Sequence, residues 1–247
     1  VLRNLVCLLL ASFVASCATA PKETHKSVKE ILSAIEANAE KRVAISGTGS
    51  ISWIGKGKSL AAPGLVLVEW PDKLRLEVQD PLGGLLALLV LSKDSFWWYS
   101  SDQKEILTGP LQELGAVGLP FSAADLVRAF LARPDMRLWQ KGLLVGQQEI
   151  RSIEGKDILL WSDRLDEPLE WRHEEKNARV VVFFEDYANR FGASFPEKLR
   201  LESVRGKERE HTISWVWRDW QPMVQNGKKL FQIPQEQHFG RKIKTLP

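Results

Sequence analysis

Cysteine is nearly absent: this chain of 247 residues has two, Cys7 and Cys17. Both fall in the first seventeen positions, so the rest of the chain holds no disulfide and no thiolate metal site. Histidine is scarce too, at His25, His173, His211 and His238. None stands at metal-ligand spacing from a second histidine or a carboxylate, and no His-Glu-x-x-His occurs. His173 does sit beside Glu174 and Glu175, but neighbours on a strand point to opposite faces, so the run reads as solvated. A nucleophile elbow and a phosphate-cradling glycine loop are also missing. Nor is there an excess of one charge: 34 basic against 31 acidic residues give +3, with the two signs interleaved. That excludes the basic face a nucleic-acid binder needs. No apolar run approaches the eighteen residues of a membrane-spanning helix. The expectation is a protein without metal, cofactor or catalytic constellation, and not an enzyme.

What is there begins at the amino terminus. Arg3 precedes the apolar run Leu5-Val6-Cys7-Leu8-Leu9-Leu10-Ala11, and Ser12-Phe13-Val14-Ala15-Ser16-Cys17-Ala18 follows. A single positive charge, a short apolar core and small residues before a cysteine match a lipoprotein signal. Small residues are needed there because the chain must fit the signal peptidase active site. The competing reading, a buried cysteine beside a core helix, accounts for neither the short run nor its flanks. Residues 1–16 are therefore expected to be a signal peptide, with Cys17 lipidated and residues 17–26 a tether holding the domain to a membrane. Loss of Arg3 would leave a mature charge of +2.

Beyond the tether, Val28, Ile31, Leu32, Ile35 and Ala39 recur at helical spacing, which predicts an amphipathic helix over 27–41 packed on a sheet. From Arg42 the period becomes two. Leu74, Leu76 and Val78 alternate with charged residues, as do Leu199 and Leu201, while Ile213, Trp215 and Trp217 alternate with Ser214, Val216 and Arg218. Continuous apolar runs at 65–68, 85–91 and 180–184 predict strands covered on both faces. Turn chemistry separates the strands at Trp70-Pro71-Asp72, Asp80-Pro81-Leu82-Gly83-Gly84, Glu154-Gly155-Lys156 and Arg205-Gly206-Lys207. A second helix is predicted after the N-cap Ser122, with Asp125 in its first turn and Leu126, Val127, Phe130 and Leu131 as its apolar stripe. A short helical turn is expected at 110–114. The pattern is that of a single α+β domain over 27–220, a large antiparallel sheet with a few helices on one side, followed by an extension at 221–247.

Ten tryptophans accompany only two tyrosines. Two readings stay open: a filled aromatic core, or a curved sheet enclosing an apolar cavity. The candidate lining is Trp53, Trp70, Leu74, Leu76, Val78, Leu126, Phe130, Trp161, Leu199, Leu201, Trp215 and Trp217. Separately, Pro81 stiffens one side of a turn that two glycines loosen on the other, so Leu82 is expected to point outward. Such a residue is either an ordinary surface leucine or a prong for a membrane or partner.

In this order, the motifs resemble the LolA/LolB-like family of periplasmic lipoprotein carriers, and its LolB outer-membrane receptors most. The resemblance runs through the lipobox at Cys17, the strand Ile45-Ser46-Gly47-Thr48-Gly49-Ser50-Ile51, Leu67-Val68-Glu69-Trp70 and the Asp80-Pro81-Leu82-Gly83 turn. It continues through Gly118-Leu119-Pro120-Phe121-Ser122-Ala123-Ala124-Asp125-Leu126, Pro196-Glu197-Lys198-Leu199-Arg200-Leu201 and Trp215. It implies an open antiparallel half-barrel capped by helices around a cavity for acyl chains, with Pro81, Leu82 and Gly83 as a protruding insertion loop. Ala18 after the lipidated cysteine, rather than aspartate, implies outer-membrane sorting with the domain facing the periplasm. The implied function is to accept lipoprotein acyl chains, from a LolA-type carrier, and insert them into the outer membrane as a monomer. Two alternatives stand beside it: a lipid-binding or stress-sensing lipoprotein of the same fold, and a non-catalytic envelope scaffold. The extension after Trp220 and the strongly apolar 85–91 run depart from the family pattern.

Overall fold

Ser27 starts the first helix. In the computed structural model, which describes residues 26–55, 58–103, 105–175, 178–223, 228–232 and 242–246, its hydroxyl accepts from the Glu30 amide at 3.3 Å. The Glu30 carboxylate accepts in return from the Ser27 amide at 2.7 Å. This capping box satisfies donors that the first helical turn leaves open. Helix α1 (Val28–Ala39) follows and buries Ile31, Leu32 and Ile35. The expected signal segment, Cys17 and nearly all of the tether lie outside the described residues.

Six strands then run as a meander: β1 (Ala44–Gly55), β2 (Lys58–Glu69), β3 (Lys73–Gln79), β4 (Leu85–Ser92), β5 (Ser95–Ser100) and β6 (Glu105–Pro110). A second series contains β7 (Leu143–Val145), β8 (Glu149–Arg151), β9 (Ile158–Trp161), β10 (Pro168–Glu175), β11 (Ala178–Arg190), β12 (Ala193–Arg205) and β13 (Glu208–Pro222). Strand β13 returns to pair with β1, from Ile45 opposite Pro222 to Gly55 opposite His211. With β14 (Lys242–Thr245) the described strands form one sheet in the order β14-β6-β5-β4-β3-β2-β1-β13-β12-β11-β10-β9-β8-β7. All pairings are antiparallel except that of β14 on β6.

This order dictates where the helices go. Strands β6 and β7 lie at opposite margins, so the chain between them must traverse the whole sheet. That crossing holds a 3-10 stretch (Leu111–Val117), helix α2 (Ala123–Phe130) and a further 3-10 turn (Met136–Leu138). Its Leu114, Leu119, Phe121, Leu126, Val127, Phe130 and Trp139 join the main hydrophobic cluster with the sheet. Ser122 caps α2 as expected, its Oγ accepting from the Asp125 amide at 3.1 Å. The reading of His173 as solvated is corrected: its Nε2 lies 3.1 Å from Oδ1 of the buried Asp125. The pair ties β10 to the first turn of α2, because a buried carboxylate needs a donor.

Period-two strands behave as their sequence demands. In β3, Leu74, Leu76 and Val78 are buried while the residues between them are half-buried. The apolar run of β4 divides its residues between both faces. Leu89 and Leu91 enter the main cluster. Leu88 and Val90 turn outward to a second cluster with Trp97, Tyr99 and Ile106, against which Ile243 packs. Part of the carboxy-terminal segment lies on this outer side. Phe231 is buried, Lys73 Nζ stands 5.8 Å from its ring centroid, and Arg75 donates to the Leu230 carbonyl at 3.3 Å.

One polar node anchors α1 to the sheet. Arg42, only 1% exposed, donates to the Ser194 carbonyl and to the Ala132 carbonyl at 3.2 Å. Its guanidinium also lies 5.4 Å from the Phe195 ring centroid. Burial lowers its pKa to about 10. Asn38 binds the same backbone in both directions, its Nδ2 donating to the Ser194 carbonyl at 3.0 Å and its Oδ1 accepting from the Ser194 amide at 3.2 Å. Burial also raises the Tyr187 phenol well above its ordinary range, and its hydroxyl donates to the Pro168 carbonyl.

Candidate functional site

Glycine in β1 decides how the concave face is filled. A Cβ on Gly47 would meet the Asp219 carbonyl at 2.2 Å and the Trp217 ring at 2.9 Å. One on Gly49 would meet the Val216 carbonyl at 2.3 Å and the Trp215 ring at 2.7 Å. Gly64 on β2 is nearly as close to the far edge of Trp215. The two indoles therefore lie down against bare backbone. They cross each other at 72° with centroids 5.2 Å apart, and Phe130 of α2 meets both edge-on. Phe195 adds a ring 5.7 Å from Trp217. This half of the concave face is solid aromatic core.

Further along the same strands, the side chains stop meeting. A cavity of about 320 Å³ remains, at the low end of the ~300–1,000 Å³ of typical small-ligand pockets. Ile51, Trp53, Leu60, Leu74, Leu76, Val78, Leu89, Trp98 and Ile213 form its walls, and Val117, Leu119, Leu126 and Phe130 of the crossing segment close it from above. Leu86, Ala87, Ser59, Ser100, Ser101, Asp102 and Gln103 complete the lining. Ser101, Asp102 and Gln103 are exposed, which marks the mouth. Asp102 is the one ionisable group among the described lining residues, and its carboxylate accepts from the Ser100 hydroxyl. The chemistry offered inside is solvation of hydrocarbon, with polar contacts only at the rim.

A register shift shapes the entrance. Val78 pairs with Ala87 and Gln79 with Leu85, so Leu86 is an extra residue in β4. The bulge turns both Leu86 and Ala87 into the lining, as bulges near binding sites commonly re-aim side chains. The Asp80–Gly84 turn follows directly from β3, at the end of the sheet where the cavity opens. There Leu82 is 97% exposed, and Pro81 and Gly83 flank it, also exposed.

Six of the twelve sequence-nominated residues meet at the cavity: Trp53, Leu74, Leu76, Val78, Leu126 and Phe130. Six do not. Trp161, Leu199, Leu201, Trp215 and Trp217 are buried in the packed part of the main cluster. Trp70 lies apart, in a groove beside α1, where the Arg133 guanidinium stacks 4.4 Å from its ring centroid. For Trp215 and Trp217 the physical reason is the glycine notch, which lets the indoles of β13 occupy the room that a deeper cavity would need. Among the apolar lining, sequence reasoning missed Ile51, Leu60, Leu86, Ala87, Leu89, Trp98, Val117, Leu119 and Ile213. The apolar 85–91 run was the signal for three of them. Trp98 needed the alternation of β5, which sends Trp97 to the outer cluster and Trp98 inward.

No protein-family model matches the chain, and no curated protein matches it in sequence. Solved structures do match in fold. A LolA superfamily protein from Nitrosomonas europaea superposes with a TM-score of 0.55 at 10% identity, covering 84% of this chain and 98% of that one. A DUF1329 family protein from Desulfovibrio piger gives 0.56 at 13% identity, with coverages of 83% and 97%. A putative outer membrane lipoprotein-sorting protein domain from Vibrio parahaemolyticus gives 0.55 at 10% identity, with 83% and 97%. The chain is thus a single domain with the fold of LolA-superfamily structures, a large open antiparallel sheet holding a few helices against one face.

Proposed function

We propose that this protein is a lipid-anchored receptor of the outer membrane that takes up lipoprotein acyl chains in its apolar cavity and passes them to the bilayer. One observation carries the reading: the cavity is walled mainly by Leu, Ile, Val, Phe and Trp, with its polar residues at the rim, and opens at the end of the sheet that bears Leu82. Each methylene is worth about 0.8 kcal/mol on burial, so a chain of ~15 methylenes resists exposure to water by roughly 12 kcal/mol. Release into solution is too slow against such a barrier. Hand-over must run between matched apolar surfaces, and that requires a cavity, a prong and a tether in one molecule. The described lining is the first. Leu82, with Pro81 and Gly83, is the second. Cys17 is the third, with Ala18 directing it to the outer membrane and residues 17–26 giving reach. Among the described residues no helix is long and apolar enough to cross a membrane; the lipobox assigns attachment to acyl chains on Cys17. The donor is a periplasmic carrier of LolA type, which the resemblance supplies.

The test is mass spectrometry of what co-purifies with a form beginning at residue 18. That form retains the whole described core, from Ile31 to Phe231. Bound diacyl or triacyl lipopeptide is the expected result. Phospholipid alone would keep the lipid cavity but move the protein to a general lipid carrier. An empty protein that also fails to saturate with N-phenyl-1-naphthylamine would overturn the reading and leave the scaffold alternative.

A further inference from the structure

The exposure of Leu82 is built, not incidental. An apolar side chain on a flexible turn folds back onto nearby apolar surface, and Leu85 and Leu86 stand three and four residues away. Leu82 nevertheless stands clear of the molecule, because the turn beneath it is closed by one carboxylate. Oδ1 of Asp80 accepts from the Leu82 amide at 2.7 Å and from the Gly84 amide at 2.8 Å. The backbone closes the same ring: the Asp80 amide donates to the Gly84 carbonyl at 2.7 Å, and the Gly83 amide to the Asp80 carbonyl at 3.0 Å. Gly83 takes φ +87°, open to glycine at no steric cost, and a Cβ on Gly84 would stand 2.4 Å from Asp80 Oδ2. Each residue of Asp80-Pro81-Leu82-Gly83-Gly84 thus has a job in one rigid geometry.

We propose that Asp80 is a positioning residue for lipid transfer: its carboxylate holds the turn so that Leu82 meets the bilayer already extended, beside the cavity mouth. This rests on the reading of Leu82 as the membrane prong given above. Rigidity matters because a mobile turn must be ordered at each encounter, and that entropy subtracts from a contact made by a single side chain. It also keeps the leucine from covering the mouth it serves. The acidic residue does not itself touch lipid. With its oxygen committed to two amides, Asp80 works through backbone geometry rather than through its charge.

The experiment uses the chain from residue 18, loaded with a nitrobenzoxadiazole-labelled dipalmitoyl lipopeptide. Transfer is followed to vesicles of phosphatidylethanolamine and phosphatidylglycerol. Saturation with N-phenyl-1-naphthylamine and the unfolding midpoint serve as controls for each variant. Leu82→Glu is expected to slow transfer by about tenfold or more, and Asp80→Ala by about fivefold, both with cavity binding unchanged. Asp80→Asn keeps an oxygen acceptor without the charge and is expected to stay within about twofold of the parent. Gly84→Ala, which pushes the carboxylate aside from the other direction, is expected to match Asp80→Ala. Hydrogen exchange at the Leu82 and Gly84 amides should speed up in Asp80→Ala and in Gly84→Ala, but not in Leu82→Glu. Normal transfer by Asp80→Ala alongside slow transfer by Leu82→Glu overturns the positioning role and spares the prong. An Asp80→Asn variant as slow as Asp80→Ala also overturns it, in favour of a charge effect. Normal transfer by Leu82→Glu removes the prong itself, and the proposal with it.

Discussion

Replacing Ala87 with phenylalanine separates a cavity from a core by the sign of two effects. Ala87 lines the cavity and is 6% exposed, next to the bulge at the entrance. In a solid interior the added ring would overpack its neighbours and destabilise the fold by about 1–3 kcal/mol. Here the ring has about 320 Å³ to enter, so stability should hold or rise slightly as apolar surface is covered. Ligand binding should move the other way. A phenyl group takes the room of roughly four methylenes, which at ~0.8 kcal/mol each amounts to about 3 kcal/mol, or near a hundredfold in affinity. Urea unfolding monitored by tryptophan fluorescence reads the first quantity, and titration with N-phenyl-1-naphthylamine the second. Destabilisation beyond about 2 kcal/mol, or unchanged probe affinity, would refute the argument that this space receives hydrocarbon.

Further consequences follow from the packed half and from the anchor. Gly49→Ala forces a methyl group against the Val216 carbonyl and the Trp215 ring. It is expected to lower unfolding free energy by about 2–4 kcal/mol, with near-ultraviolet circular dichroism reporting the displaced indoles. Arg42→Met removes the buried guanidinium from the Ala132 and Ser194 carbonyls. A loss of about 2–4 kcal/mol is expected from the stranded acceptors, and a denaturation midpoint equal to the parent's would show that the node is dispensable. Cys17→Ala should leave the protein in the soluble periplasmic fraction; firm retention by membranes would contradict the tether.

The LolA-like architecture changes how the tryptophan excess is understood. The filled core and the apolar cavity, two readings left open by composition, coexist in one sheet. They are separated along the strands by Gly47, Gly49 and Gly64, whose missing side chains admit Trp215 and Trp217. The outer cluster around Trp97 and Tyr99, with Phe231 and Ile243 against the same side of the sheet, uses still more aromatic surface. Only part of the aromatic inventory is therefore left to face a ligand.

Local chemistry was legible from the chain alone wherever neighbours in sequence are neighbours in space. The cap at Ser122, the alternation of Leu74, Leu76 and Val78 and the outward Leu82 all follow from contacts within a few residues. The single antiparallel domain was legible for the same reason, since a meander is built from adjacent hairpins. What the tertiary structure alone decided lies across long separations. The pairing of β1 with β13 sets Gly49 opposite Trp217, and the crossing segment carries Phe130 onto the aromatic floor. Polar partners such as His173 and Asp125 meet only once α2 lies over β10. Period and composition identify which residues are buried, but not which buried residues touch, and a cavity is a place where buried side chains do not touch.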